Sequence, residues 1–170
     1  PTGAQTYTVL VTDANGCTKS DSLTIDFFPL PSAGNDTTLC RGDSTQLHVN
    51  GGSIFQWTPI TGLSADNISN PYAKPSSTTN YTVSITDVHA CVTDRQVVVN
   101  INPLPPVSAG SDIAYCIGAS DSLHATGAIN FTWSPGLGLS SVSNANIQVS
   151  TTLAQDYILT GTDANACSNK

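Results

Sequence analysis

The chain has 170 residues, of which only 10% are charged, with no Met and a formal net charge of −7 from five Lys and Arg against twelve Asp and Glu. Five basic residues cannot build the phosphate-neutralising surface that nucleic acid or anionic lipid requires, and no run approaches the roughly 20 apolar residues of a membrane span. Ser and Thr supply about a quarter of the sequence, a composition that suits exposed β faces and turns better than helices.

The first recognisable element, Tyr7-Thr-Val-Leu-Val-Thr-Asp13, returns as Tyr81-Thr-Val-Ser-Ile-Thr-Asp87 and as Tyr157-Ile-Leu-Thr-Gly-Thr-Asp163. The spacings are 74 and 76 residues, and the same offsets connect Cys17, Cys91 and Cys167, Cys40 and Cys116, Trp57 and Trp133, and two Pro-Leu-Pro stretches beginning at Pro29 and Pro103. One register held over so many positions identifies a tandem repeat. The predicted organisation is the C-terminal part of one repeat (1–31), a complete repeat (32–105) and a repeat lacking its last strand (106–170). The chain is thus expected to be an excerpt of a longer array.

Along the complete repeat, apolar residues recur with a period of two: Leu47 and Val49, Phe55 and Trp57, Tyr81, Val83 and Ile85, then Val97, Val99 and Ile101. Turn chemistry separates these runs at Arg41-Gly42-Asp43, Asn50-Gly51-Gly52, Asn70-Pro71 and Asp87-Val88-His89-Ala90. About seven short strands, with Trp on the third and Tyr opening the sixth, predict an all-β, immunoglobulin-like sandwich of about 75 residues. Trp57, Trp133, Tyr81 and Tyr157 are the expected core anchors.

A domain this small buries only about 60% of its unfolded surface and is commonly stapled. The repeating cysteines, Cys40 with Cys116 near the end of the first strand and Cys91 with Cys167 at the last turn, point to half-cystines in an oxidising compartment. Pairing inside one repeat, Cys40 to Cys91, is the leading expectation. Yet the two positions fall at opposite ends of a standard sandwich, which leaves a bridge from Cys40 to Cys167 of the following repeat, or free thiols, as alternatives.

The order Ser32-Ala-Gly-Asn-Asp36, Cys40, Trp57-Thr-Pro59, Gly62-Leu-Ser64, Asn70-Pro71, Tyr81-Thr-Val83, Cys91 resembles the PKD-like and immunoglobulin-like repeats of large Bacteroidetes surface proteins. Ser108-Ala-Gly-Ser-Asp112, Cys116, Trp133-Ser-Pro135, Gly138-Leu-Ser140, Tyr157 and Cys167 extend that resemblance over nearly the whole chain. The proteins it is similar to include gliding-motility adhesins and cargo of the type IX secretion system, which implies an extracellular or cell-surface stalk, filament or adhesin. The resemblance also implies Asp-Ser/Thr-apolar O-glycosylation sites, of which Ser22, Thr37, Ser44 and Ser122 are the candidates.

Other candidate features carry weaker chemistry. Asp13, Asp36, Asp87, Asp112 and Asp163 could offer oxygens to Ca²⁺ at repeat junctions, but no loop has the dense carboxylate spacing of a dedicated calcium site, so no metal or other cofactor is expected. Arg41-Gly42-Asp43 spells an integrin-recognised tripeptide, although the next repeat has Ile117-Gly118-Ala119 there. No nucleophile or carboxylate recurs beside His48, His89 or His124, so no catalytic residues and no enzyme activity are expected. The expected role is a stiff, disulfide-stapled spacer or assembly unit whose partners are neighbouring repeats of the same chain and other copies in a filament. The alternative is a carbohydrate- or protein-binding module that uses end loops such as Ile60-Thr61-Gly62 or Gly136-Leu137-Gly138-Leu139, with surface glycans among its partners.

Overall fold

A computed structural model describes residues 3–170. The structure is all-β, without a helix among the described residues. The first segment is an isolated hairpin of β1 (Gln5–Thr12) and β2 (Thr18–Ile25), exposed along its whole length and paired with no other strand among the described residues.

The second repeat is a two-layer sandwich with immunoglobulin-like topology. One layer is a four-stranded sheet in the order β4 (Thr37–Cys40), β10 (Val92–Asn102), β9 (Thr79–Thr86), β7 (Ile54–Thr58), with β4 parallel to β10 and the other pairs antiparallel. The facing layer is made of short pairs, β3 (Ser32–Ala33) with β6 (Val49–Asn50) and β5 (Thr45–Gln46) with β8 (Tyr72–Ala73). The alternation read from the sequence places Leu47, Val49, Trp57, Tyr81, Val83, Ile85, Val97 and Val99 in one core. The first two predicted strands are each split in two, at residues 34–36 and 47–48, so this repeat has eight short strands where about seven were expected.

The third repeat reproduces this with β11 (Asp121–His124) against β13 (Asn146–Val149), and β12 (Asn130–Ser134) beside β14 (Ile158–Thr162) and β15 (Ser168–Asn169). Its core is Leu123, Ala125, Phe131, Trp133, Ile147, Val149 and Leu159. Residues 109–117 belong to no strand, and beside them a cavity of about 540 Å³ is lined by Tyr115, Leu123, Trp133, Val149 and Tyr157. Tyr157 is accordingly half-buried, whereas its equivalent Tyr81 is fully enclosed.

Equivalent residues make equivalent bonds. The Trp57 indole donates to the Ile68 carbonyl at 2.9 Å and the Trp133 indole to that of Asn144 at 3.0 Å. The Tyr81 hydroxyl donates to the Thr61 carbonyl and the Tyr157 hydroxyl to that of Leu137. A buried aromatic thus brings its own polar group to a backbone acceptor and leaves no unmet donor inside the sandwich.

The repeats also trade volume at matching positions. A Cβ on Gly52 would lie 2.3 Å from Cγ2 of Ile85, while in the third repeat the equivalent pair is Ala128 and Gly161, and a Cβ on Gly161 would lie 2.7 Å from that of Ala128 and 2.5 Å from Val107. Gly161, which interrupts the apolar pattern of the sequence, remains inside β14 because its neighbours occupy the missing side chain's space.

Candidate functional site

The site begins at the last hairpin turn of each repeat. In all three, one aspartate oxygen accepts two backbone N–H groups: Asp13 from Asn15 and Cys17, Asp87 from His89 and Cys91, Asp163 from Asn165 and Cys167, at 2.8–2.9 Å. Asp at this position closes the turn as a side-chain mimic of backbone, and it fixes the cysteine four residues on. For Asp87 the N–H of Cys91 is the main cause that holds the carboxyl below the ordinary carboxylate range, assisted by the N–H and ring of His89 and opposed by partial desolvation. The same geometry gives one carboxylate oxygen of each of these aspartates a structural role in its turn. Asp36 likewise accepts the Val98 N–H at 2.8 Å.

The first-strand cysteine lies at the other end of the sandwich. Cys40 is the final residue of β4, in register with Asn102 at the end of β10, and the N–H of Arg41 donates to the Asn102 carbonyl at 2.9 Å. It therefore lies at the pole from which the chain departs through Pro103-Leu104-Pro105. The last turn lies at the pole that faces the preceding repeat.

Those two facts decide the pairing. Cys40 is bonded to Cys167 of the next repeat, with Cα atoms 5.4 Å apart and 127 residues between them in sequence. This corrects the expected bridge between Cys40 and Cys91, whose positions are at opposite poles of one sandwich. Cys91 and Cys116, grouped with Cys40 and Cys167 as half-cystines, carry free exposed thiols in this chain, as does Cys17. Cys167 itself is fully buried.

Two further contacts brace the junctions. The Arg95 Nε donates to the Pro31 carbonyl and the Asn169 side chain to that of Pro105, both at 3.0 Å, so in each repeat the last strand or its start grips the buried second proline of the linker. At the earlier junction Phe28 stacks on His89 of the last turn, ring centroids 3.6 Å apart. These contacts were not read from the sequence, because each joins residues about 60 positions apart and neither Arg95 nor Phe28 recurs.

The remaining candidates are placed as follows. Trp57, Tyr81 and Trp133 are buried. Ser22 and Ser44 are exposed and Thr37 and Ser122 half-buried; the N–H groups of Ser22 and Ser122 donate to their preceding aspartates, at 2.9 and 2.7 Å. His48 and His124 face outward, the latter against Asn146 at 2.8 Å. Arg41, Gly42 and Asp43 form an exposed turn closed by the Asp43 N–H on the Cys40 carbonyl.

No family model matches the chain, and no curated protein matches it. Among solved structures, a two-domain fragment of DIP-gamma (IG1 and IG2) is 13% identical, covering 83% of this chain and 94% of that one with a TM-score of 0.38. The human desmocollin-1 ectodomain is 8% identical, covering 98% of this chain and 50% of that one, TM-score 0.34. A Ca²⁺-stabilized ice-binding adhesin of an Antarctic bacterium is 10% identical, covering 98% and 54%, TM-score 0.38. The chain spans about half the length of the last two. The fold assignment stands on this chain's own two-layer sheets, and what those proteins bind is said of them alone.

Proposed function

We propose that this chain is a structural repeat region of an extracellular or cell-surface adhesin, stalk or filament, whose task is to hold successive sandwiches at a fixed angle. The observation that carries the reading is the bridge from Cys40 to Cys167 across a Pro-Leu-Pro linker. Two domains joined by a peptide alone can swing about it; joined at a second covalent point, they lose that hinge. Proline's fixed φ and the grip of Asn169 on the Pro105 carbonyl stiffen the first connection. A disulfide of this kind persists only in an oxidising environment, which supports a place outside the cytosol.

Export by the type IX route, a part in gliding, and O-glycosylation at Ser22, Thr37, Ser44 or Ser122 are finer readings supported by the sequence resemblance. A passive spacer uses no cofactor and no catalytic group, and both tryptophans are committed to the cores, leaving neither as a platform for a sugar ring.

Electron microscopy of the chain, scored for the angle between the second and third repeats, tests the proposal. The oxidised protein should show one narrow angular distribution and Cys40→Ser a broad one. Equally broad distributions in both would overturn the spacer reading.

A further inference from the structure

The two bonded cysteines and the three free ones share two repeat positions, the last-turn position also being held by Cys17. Cys116 is the counterpart of Cys40, and its carbonyl accepts from Ala119 as that of Cys40 accepts from Asp43. Cys91 is the counterpart of Cys167, held by Asp87 as Cys167 is held by Asp163. We infer that Cys91 and Cys116 are half-cystines of one staggered series, in which the first-strand cysteine of every repeat bonds the last-turn cysteine of the repeat that follows. Cys91 takes the first-strand cysteine of a repeat on its N-terminal side, and Cys116 takes the last-turn cysteine of a repeat on its C-terminal side. The partner in each case is a further copy of this repeat.

A second observation places Cys91 where such a partner would be. Cys40 is in register with Asn102, and the equivalent of Asn102 one repeat earlier is Phe28. His89, two residues before Cys91, stacks on that Phe28 ring. The turn carrying Cys91 therefore already lies against the strand end beside which a preceding repeat's first-strand cysteine belongs. The step is an ordinary exchange: two thiols and one glutathione disulfide yield the protein disulfide and two glutathione thiols, the thiol protons passing to the released glutathione.

Such a series differs in kind from stapled domains. Each sandwich is bonded to both neighbours, by Cys of its first strand on one side and of its last turn on the other, so successive disulfide-closed loops overlap along the array. The inference rests on the junction reading above, and its test separates the two.

Residue 151 is the repeat equivalent of residue 1, so placing residues 106–150 in front of Pro1 completes the first repeat in register while leaving the full chain intact. A second lengthened chain, with residues 21–170 following Lys170, continues the register at the other end, since Lys170 matches Ser20. Each is folded with a glutathione redox couple, alkylated, digested without reduction and mapped by mass spectrometry beside the 170-residue chain.

The expected products are a peptide pair joining the added Cys116 to Cys91 in the first, and one joining Cys116 to the added Cys91 in the second, each with Cys40 bonded to Cys167. Cys116→Ser in the added segment of the first should return Cys91 from bonded to fully alkylated. Alkylated Cys91 and Cys116 in both lengthened chains, with Cys40 still bonded to Cys167, would overturn the series and leave the single junction standing. A Cys40 to Cys91 bond in the 170-residue chain would overturn both.

Discussion

Stretching the chain by its ends is the most direct reading of the bridge. In the oxidised protein the residues between Cys40 and Cys167 are short-circuited, so unfolding either repeat within that loop adds nothing to the extension. Reduction releases 127 residues, which at roughly 3.3–3.6 Å each corresponds to roughly 420–460 Å of additional contour length. A bridge inside the second repeat, Cys40 to Cys91, would hide only 51 residues, or roughly 170–180 Å. Single-molecule force extension with and without reductant distinguishes the two lengths easily. A gain near the smaller figure, or none, would refute the pole-to-pole argument. The same bridge should stabilise the pair of repeats by up to about 5 kcal/mol in the chain-entropy view, measured as a shift of the denaturant midpoint on reduction.

Other outcomes follow from the packing. Trp57→Ala should cost the second repeat about 3–5 kcal/mol and leave the third repeat's Trp133 fluorescence transition nearly in place, since each sandwich has its own core. Gly52→Ala should destabilise by at least about 1–3 kcal/mol in urea unfolding, because the new methyl meets Ile85 and the backbone has φ of +84°. Adding residues 21–31 after Lys170 should fill the third repeat's cavity with the counterparts of Val97 and Val99, namely Leu23 and Ile25; at about 1.5–3 kcal/mol for each buried side chain, its midpoint should rise clearly. The Asp87 carboxyl is held low in the folded turn, so its contribution to stability is fully present above the unfolded value of about 3.9 and is lost as pH falls through the folded value. Amide NMR of His89 and Cys91 should follow that loss on acidification and show none of it in Asp87→Asn.

The repeat, the strand pattern and the core were legible in the sequence because a sandwich imposes a period of two on its apolar residues and a tandem array repeats its register. Trp57, Tyr81, Val83 and Ile85 could be placed facing inward from alternation alone, and Asp13, Asp87 and Asp163 announced themselves by recurring. The volume exchange between Gly52 with Ile85 and Ala128 with Gly161 could not be read so, since which residues touch across two strands depends on register.

The pairing of the cysteines was decided by tertiary structure. Sequence distance favours Cys40 with Cys91, the nearer partner, and the composition of the chain cannot tell one half-cystine from another. The sandwich puts β4 beside the end of β10 and the last turn at the opposite pole, so a cysteine some 50 residues away is out of reach while the Cα of one 127 residues away lies 5.4 Å from that of Cys40. Chain proximity sets the entropy of closing a loop, but folded geometry sets which atoms meet, and here the second governs.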